Sequence, residues 1–208
     1  MKRNIVRSEL LRLRDRLRSA VAGRELLDRK REAILRAIAD RAPRLRARQA
    51  AATERLHDAR AAIVRAQLEM GRTCVDAAVL AQPTDVAIPI EEGTVVGVRV
   101  PQASRYVASF APEYGDASGS PALHQAGVAF AEALGPLVSL AADETAMRRL
   151  TSVLARTAKR LNALDKQLIP EIRRDIHDVA SALEEEERDD AVRRRTWQAK
   201  QASHRRGV

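Results

Sequence analysis

Apolar residues recur every three or four positions along the first 80 residues of the chain. This spacing places them on one face of a helix and is typical of a coiled-coil seam. A phase slip near residue 52 predicts a stutter inside one helix, and Pro43 predicts a kink or weak point. We therefore predict one long helix over residues 4–80. The stripe comprises Leu10, Leu13, Leu17, Ala20, Leu27, Ile34, Ile38, Leu45, Ala52, Leu56, Ala59, Ile63, Ala66 and Met70.

Residues 81–121 have a different character, because five prolines and four glycines fall within them. Two β-prone runs, 94–100 and 105–110, are separated by the turn-forming residues 101–104. This arrangement predicts a β-hairpin. Because an isolated hairpin is marginally stable in water, we expect it to pack against a helix or a partner.

A second helix is predicted to start at Ser120-Pro121, an N-cap residue followed by proline at the first helical position. Its apolar stripe continues past Pro170, which therefore predicts a kink and not a stop. Beyond Leu183 the sequence becomes polar, so its end is expected to fray. The stripe comprises Val128, Leu134, Leu137, Leu140, Met147, Leu150, Leu154, Leu161, Leu164, Leu168, Ile172, Ile176, Val179 and Leu183.

Each of the two stripes needs a partner, and folding back on each other is the simplest solution. The predicted fold class is mainly α, a long antiparallel two-helix coiled coil with a short central β-hairpin insert. The predicted organisation is an N-terminal helix over 1–80, a turn-rich insert over 81–121 and a C-terminal helix with a polar, basic tail over 122–208. Both termini are expected at one tip, with the insert at the opposite end.

The composition disfavours a globular enzyme. Aromatic residues make up only 2% of the chain and charged residues 31%, a balance that suits narrow helix seams better than a deep core. The net charge of +9 is uneven: residues 1–50 carry 16 Lys and Arg against 6 Asp and Glu, and residues 191–208 carry 6 against none. If the termini meet, they form one strongly basic tip.

Signatures of catalysis and nucleotide binding are missing from the sequence. It contains no G-x-x-x-x-G-K-[ST] and no G-x-G-x-x-G. The four histidines are far apart, and the single cysteine, Cys74, excludes an intramolecular disulfide. We predict no catalytic, cofactor-binding or metal-binding residue. No secretory signal and no run of about 18 apolar residues is apparent, so membrane association is expected to go through partners.

Two motifs in the second helix carry a resemblance. The run R-L-N-A-L-D at 160–165, preceded by Lys159, is followed by I-P-E-I at 169–172, and D-E-T stands at 143–145. Near the N-terminus, a Leu-Leu pair at 10–11 precedes the basic segment 23–32. Together these motifs resemble the D subunit of the V-type (V/A-type) rotary ATPases.

This resemblance implies a rotor shaft, or central stalk, that transmits torque between the catalytic nucleotide-binding ring and the ion-translocating membrane ring, on the cytoplasmic side of the membrane. The implied partners are the catalytic and regulatory ring subunits, a small companion stalk subunit and the socket subunit of the membrane ring. The shaft itself would neither bind ATP nor insert into the membrane.

Three sets of residues are candidates for partner contacts. The motif set, for the ring and the seam, is Arg160, Leu161, Asn162, Leu164, Ile169, Pro170 and Ile172. The basic tip is Arg3, Arg7, Arg12, Arg193, Arg194 and Arg195. The stalk-facing insert is Val95, Val98, Tyr106 and Phe110.

Two other functions fit parts of the sequence. A basic coiled-coil protein that binds nucleic acid would account for the isoelectric point near 10.6, although the scarcity of aromatic residues on the helices removes platforms for base stacking. A coiled-coil accessory of a flagellar or export ATPase would use the same helical hairpin. The β insert and the I-P-x-I motif favour the rotor shaft over the export accessory.

Overall fold

The computed structural model describes residues 7–80, 88, 90–103 and 120–206, with side chains up to residue 198. The elements in chain order are helix α1 (Arg7–Met70), helix α2 (Arg72–Leu80), strands β1 (Ile90–Val95) and β2 (Val98–Ala103), helix α3 (Pro121–Ala163), a π-helical turn (Leu164–Leu168) and helix α4 (Ile169–Arg206). The predicted fold class is confirmed: two long helical segments flank a two-stranded antiparallel hairpin.

The chain divides into two compact units. Unit 1 consists of Met1–Arg31 and Arg156–Val208. In it α1 and α4 run antiparallel, because Arg7 pairs with Glu187 and Arg24 pairs with Asp165. Among the described residues, its buried side chains come from α1, the end of α3 and α4, and they are Leu13, Thr157, Leu161, Ile169, Ile172 and Val179.

Unit 2 consists of Glu32–Ala155. Its helices α1 and α3 are also antiparallel, with ion pairs joining Arg48 to Asp143 and Arg55 to Glu132. Alanine dominates the buried positions from residue 52 toward the end of α1 and from residue 133 back to the start of α3. The buried alanines of this part are Ala52, Ala59, Ala62, Ala66, Ala122, Ala126 and Ala133. Such small side chains allow two helices to approach closely.

The prediction of one helix over residues 4–80 is wrong at its C-terminal end, because α1 ends at Met70 and α2 follows. Gly71 lies between them with a φ of +81°, a left-handed conformation that glycine adopts without a steric penalty. Its N–H donates to the carbonyl of Gln67, and its own carbonyl accepts from the Val75 N–H. One glycine thus ends one helix and begins the next.

α2 is held by a small apolar cluster. Val75 is buried against Ala66 of α1 and against Ala122 and Leu123 of α3. The predicted start of α3 is confirmed, since the Ser120 hydroxyl accepts a hydrogen bond from the Ala122 N–H at 3.3 Å. α3 continues through Pro136, and α1 continues through Pro43.

The hairpin exists, but the predicted strand positions are wrong. Its strands are 90–95 and 98–103, joined by a two-residue turn at Val96-Gly97 inside the run 94–100 that was predicted to be one strand. The predicted turn residues 101–103 instead belong to β2. Both turn residues have positive φ, 51° and 73°, which is a type I′ turn, the type that matches the twist of paired strands. The second predicted run, 105–110, lies outside the described residues.

Val96 occupies a conformation that disfavours a β-branched residue, since the left-handed region costs an L-residue about 1–2 kcal/mol. We expect Val96→Asn to raise the free energy of unfolding of unit 2 by about 1 kcal/mol, because Asn-Gly is a preferred type I′ pair. Chemical denaturation would measure it. Val64→Asn, at an exposed site inside α1, is the control without such a gain. Equal effects of the two changes would contradict the strain at Val96.

The region Pro121–Gln198 contains one stretch that is apolar enough to cross a membrane by length and composition. No such run was expected, but residues 121–142 carry a single charged residue, Glu132, and many alanines, so this segment is apolar on average. Glu132 pairs with Arg55 at 3.3 Å, and Ala126 and Ala133 are buried. This segment therefore packs as a helix of unit 2.

Candidate functional site

The motif that carries the resemblance lies in unit 1, where α3 passes into α4. Leu161, Ile169 and Ile172 are buried, with 4%, 7% and 1% of their surface exposed. Arg160 and Asn162 are exposed on the outer surface. The remaining predicted members, Leu164 and Pro170, are partly buried. The motif thus combines seam residues with surface residues.

A π-helical turn over Leu164–Leu168 interrupts the motif. Its last hydrogen bond runs from the Ile169 N–H to the Leu164 carbonyl, five residues back. The following residue, Pro170, has no N–H, and its ring would clash with the carbonyl of residue 166 in a regular helix. The widened turn avoids this clash. The predicted kink at Pro170 therefore takes the form of a local π-turn, and the helix continues to Arg206 through the polar segment that was expected to fray.

The π-turn also keeps the apolar seam on one face. Leu161 and Ile169 are eight residues apart, and at about 100° per residue a straight α-helix would place them roughly 80° apart around its axis. Both are nevertheless buried, as is Ile172. The wider turn absorbs the extra residue and returns Ile169 to the seam.

An ion pair joins the π-turn to α1. The Arg24 Nε donates to Asp165 Oδ1 at 3.0 Å, and Asp28 lies 3.9 Å from the same guanidinium. The pKa of Arg24 is raised above its ordinary value, first by the hydrogen bond to Asp165 and then by the attraction of that carboxylate. A raised arginine pKa favours the folded state at every pH below the unfolded value, so this pair is unaffected by pH in the physiological range.

The Arg24–Asp165 pair was not among the predictions from the sequence. Arg24 belongs to the basic segment of the first helix, and Asp165 closes the R-L-N-A-L-D run, so each stands within a motif that was identified. The missing information was the register between the helices, which brings together residues 141 positions apart. The only available signal was the presence of one charge of each sign within the two motifs.

Acidic side chains lie among the arginines of the predicted basic tip. Arg7 pairs with Glu187, which raises the pKa of Arg7 through a hydrogen bond and charge attraction. Arg12 pairs with Glu9, and Arg193 with Asp190. Arg194 donates to the carbonyl of Asp190 in its own helix, Arg195 is exposed, and Arg3 lies outside the described residues. The acidic run 184–187 therefore supplies a partner to the first helix.

The insert hairpin packs inside unit 2. Val98 is buried with Ile34, Val100, Ala146 and Leu150, and Val95 packs against this cluster. These valines hold the hairpin on the helices, and their contact with a stalk partner stays a prediction. Tyr106 and Phe110 lie outside the described residues.

A cleft of about 460 Å³ lies between α1, α3 and the end of β2. Arg41, Arg44 and Arg48 line one wall, with Asp143 and Gln102 across from them. Its lining offers guanidinium donors to an acidic group but contains no nucleophile paired with a base. Within the described part of the chain, no three His, Cys, Asp or Glu side chains are placed to hold a metal ion.

Comparison of the sequence with known proteins identifies its family. Residues 9–199 match the model of the family described as the D subunit of ATP synthase. The chain is 31% identical to the D subunit of the A-type ATP synthase of Methanopyrus kandleri, over 91% of this chain and 83% of that protein. It is 31% identical to the D subunit of the V-type ATP synthase of Thermotoga neapolitana, over 90% and 92% of the two chains.

A third relative is the D subunit of the V-type ATP synthase of Thermus thermophilus, which is 32% identical over 90% of this chain and 83% of the relative. The matched region runs from the first turn of α1 into the last part of α4, so it includes the insert, the π-turn motif and most of both seam helices. The resemblance seen in the sequence is thereby confirmed, and the chain belongs to the family of ATP synthase D subunits.

Proposed function

We propose that this chain is the central rotor shaft of a V/A-type rotary ATPase or ATP synthase. It transmits torque between the catalytic nucleotide-binding ring and the membrane ring that carries H⁺ or Na⁺. The observation that carries the proposal is the antiparallel helix seam of unit 1, where the family motif lies at a π-turn locked to α1 by Arg24 and Asp165.

The chemistry of the surface supports a shaft. The large side chains of unit 1 that are most fully buried are in its own seam, such as Leu161 and Ile172, and its outer positions are mostly charged. A shaft that turns inside a ring must not bind any one ring protein through a deep apolar anchor, because such hot spots dominate binding energy and would hold it in place. Charged, exposed arginines make weaker, more easily exchanged contacts.

Coupling follows from asymmetry. A two-helix shaft inside a ring of repeated subunits makes different contacts with each catalytic site, so each orientation favours a different site conformation. Because coupling free energies are reciprocal, nucleotide binding and release bias the orientation of the shaft, and rotation driven by ion flow biases nucleotide affinity. The chain contributes no catalytic group to this cycle.

The partners follow from the same proposal. The catalytic and regulatory ring subunits contact the motif set and the basic tip, while the small companion stalk subunit and the socket subunit of the membrane ring contact the insert. The complex lies on the cytoplasmic side of the membrane, and this chain is peripheral.

Affinity purification from detergent-solubilised membranes tests the proposal. A tagged chain is expected to co-elute with nucleotide-binding ring subunits and with ATPase activity, and Mg-ATP should drive its rotation in single-molecule recordings of the immobilised complex. An Arg24→Ala/Asp165→Ala double variant, in which no charge is left unpaired, should still assemble. Comparison of its rotation with that of the unmodified complex measures the contribution of the ion pair. Recovery of the chain without any ring subunit would refute the shaft.

A DNA-binding assay separates the shaft from a basic nucleic-acid-binding protein. Because acidic residues pair with Arg7, Arg12 and Arg193, we expect no DNA binding at moderate salt. Tight binding whose logarithm falls steeply with the logarithm of salt concentration would favour the other function.

A further inference from the structure

The cleft of unit 2 between α1, α3 and the end of β2 combines charged and apolar residues in its lining. Its volume of about 460 Å³ lies within the range of about 300–1,000 Å³ that is typical of ligand sites. The cleft is therefore large enough to receive a side chain and part of the backbone that carries it. Apolar residues from all three elements contribute to the lining, among them Leu45, Val100 and Met147. The charged residues are Asp40, Arg41, Arg44, Arg48 and Asp143.

One of the three arginines of the cleft is without a partner among the described residues. Arg48 forms an ion pair with Asp143, and Arg41 donates a hydrogen bond to the Ala37 carbonyl of its own helix at 3.3 Å. Arg44 forms no hydrogen bond or ion pair with any residue that the structure describes. Its guanidinium therefore retains all of its N–H donors for an incoming group.

The charges of the lining favour a single carboxylate as the occupant. Three arginines stand with two aspartates, so the lining carries an excess of one positive charge, which one incoming carboxylate neutralises. A phosphate group or a nucleic acid brings more negative charge, and the two aspartates repel it. Asp40, one helical turn before Arg44, forms no ion pair within the described part of the chain. It is therefore the negative charge that most opposes such an occupant.

The arginine and the apolar lining together define the occupant more narrowly. A guanidinium binds a carboxylate through two parallel N–H···O hydrogen bonds, a geometry that the ammonium group of lysine does not supply. The lining residues Leu45 and Met147 are partly buried, and methionine adapts its shape to an apolar neighbour. An Asp or Glu that is adjacent to an apolar residue satisfies both features.

We propose that an acidic segment of a neighbouring protein of the complex docks in this cleft. An Asp or Glu carboxylate of that segment accepts hydrogen bonds from Arg44, and an apolar residue beside it contacts Leu45 and Met147. The Arg48–Asp143 pair stays intact, because Arg44 alone supplies the donors. The inference rests on the proposed function only in taking the partner from the same complex.

Photochemical cross-linking in the purified complex tests the occupant. Met147 is replaced by an aliphatic amino acid of similar length that carries a diazirine, and the cross-linked peptide is identified by mass spectrometry after irradiation. We expect a segment of another subunit with an Asp or Glu beside the cross-linked residue. The same amino acid at Leu68, which is 81% exposed in the same unit, is the control and should not label that segment.

Three results of this experiment would overturn the inference and leave the rotor shaft standing. They are a cross-link to a segment without Asp or Glu, a cross-link to residues 104–119 of the same chain, and the absence of any cross-link in an intact complex. Failure of the unmodified chain to assemble with ring subunits would instead count against the shaft.

Charge variants of α1 separate a carboxylate contact from simple proximity. Arg44→Glu should lower the yield of the cross-link by about tenfold or more, because the excess positive charge of the lining becomes a negative one. Arg46→Glu is the matched control, since Arg46 is exposed on the same helix and does not line the cleft, and it should leave the yield unchanged. Asp40→Asn removes the opposing carboxylate and should leave the yield unchanged or raise it. Equal losses for Arg44→Glu and Arg46→Glu, or a loss for Asp40→Asn, would contradict the proposed contact.

Discussion

Leu150→Ala is expected to lower the free energy of unfolding of unit 2 by about 2–5 kcal/mol, the range for deleting a fully buried leucine. Leu150 has no exposed surface and packs with Ile34 of α1 and with Val98 and Val100 of the hairpin. Its removal leaves a cavity where two helices and the hairpin meet. Guanidinium chloride denaturation followed by far-ultraviolet circular dichroism would measure the loss.

The matched control is Leu68→Ala. Leu68 lies in α1 of the same unit but is 81% exposed, so the same substitution should change stability by less than about 0.5 kcal/mol. Hydrogen exchange of the Leu150→Ala variant adds a local readout: the amides of Gly93 and Val100 should lose protection before those of the helices. A loss no larger than that of Leu68→Ala would show that the hairpin is not anchored at this cluster.

The helical seams were predictable because burial follows a simple period. Every residue of the first predicted stripe is buried or partly buried, from Leu10 to Met70. In the second stripe only Val128 is exposed. The alanines at 122, 126 and 133 were not in that stripe, although they are buried. Alanine is common on both faces of helices, so its presence alone does not mark a seam.

The breaks in the seams were harder to predict, because they depend on backbone conformation. Gly71 ends α1 through a positive φ, whereas Gly23 lies inside the same helix. No local sequence pattern distinguishes the two glycines. The turn at Val96-Gly97 was hidden because valine is a strand former that seldom adopts a positive φ. Tertiary packing of Val98 and Val100 on Leu150 overrides that preference.

The candidate site was predicted only where it depends on local sequence. The motif residues at 160–172 were identified from the sequence, and the structure shows that three of them form the seam. The Arg24–Asp165 pair and the π-turn depend on the register between α1 and α4, which no local pattern specifies. Pro170 indicated an interruption, but a kink and a π-turn both avoid the same clash.

Ala59→Leu is the second change for which we expect a large effect. It adds side-chain volume at a buried position, whereas Leu150→Ala removes it. Ala52, Ala59 and Ala66 follow each other at intervals of seven residues and are at most 1% exposed, and Ala126 and Ala133 of α3 repeat this interval. Seven residues are nearly two turns, so these alanines lie along one line of contact where the helices approach closely. Three added carbons have no space there. Overpacking of this kind typically costs about 1–3 kcal/mol, and more where a backbone must move.

Ala50→Leu is the control, because Ala50 is exposed on the same helix and leucine has almost the helix propensity of alanine. Thermal and chemical denaturation should show a loss of stability for Ala59→Leu and nearly none for Ala50→Leu. Ala59→Gly should be destabilised by only about 1 kcal/mol, through helix propensity. This order, with the larger side chain more harmful than the smaller one, distinguishes a close-packed seam from a merely apolar one. If Ala59→Leu were neutral or stabilising, the seam would have room for leucine, and the repeated alanines would have another cause.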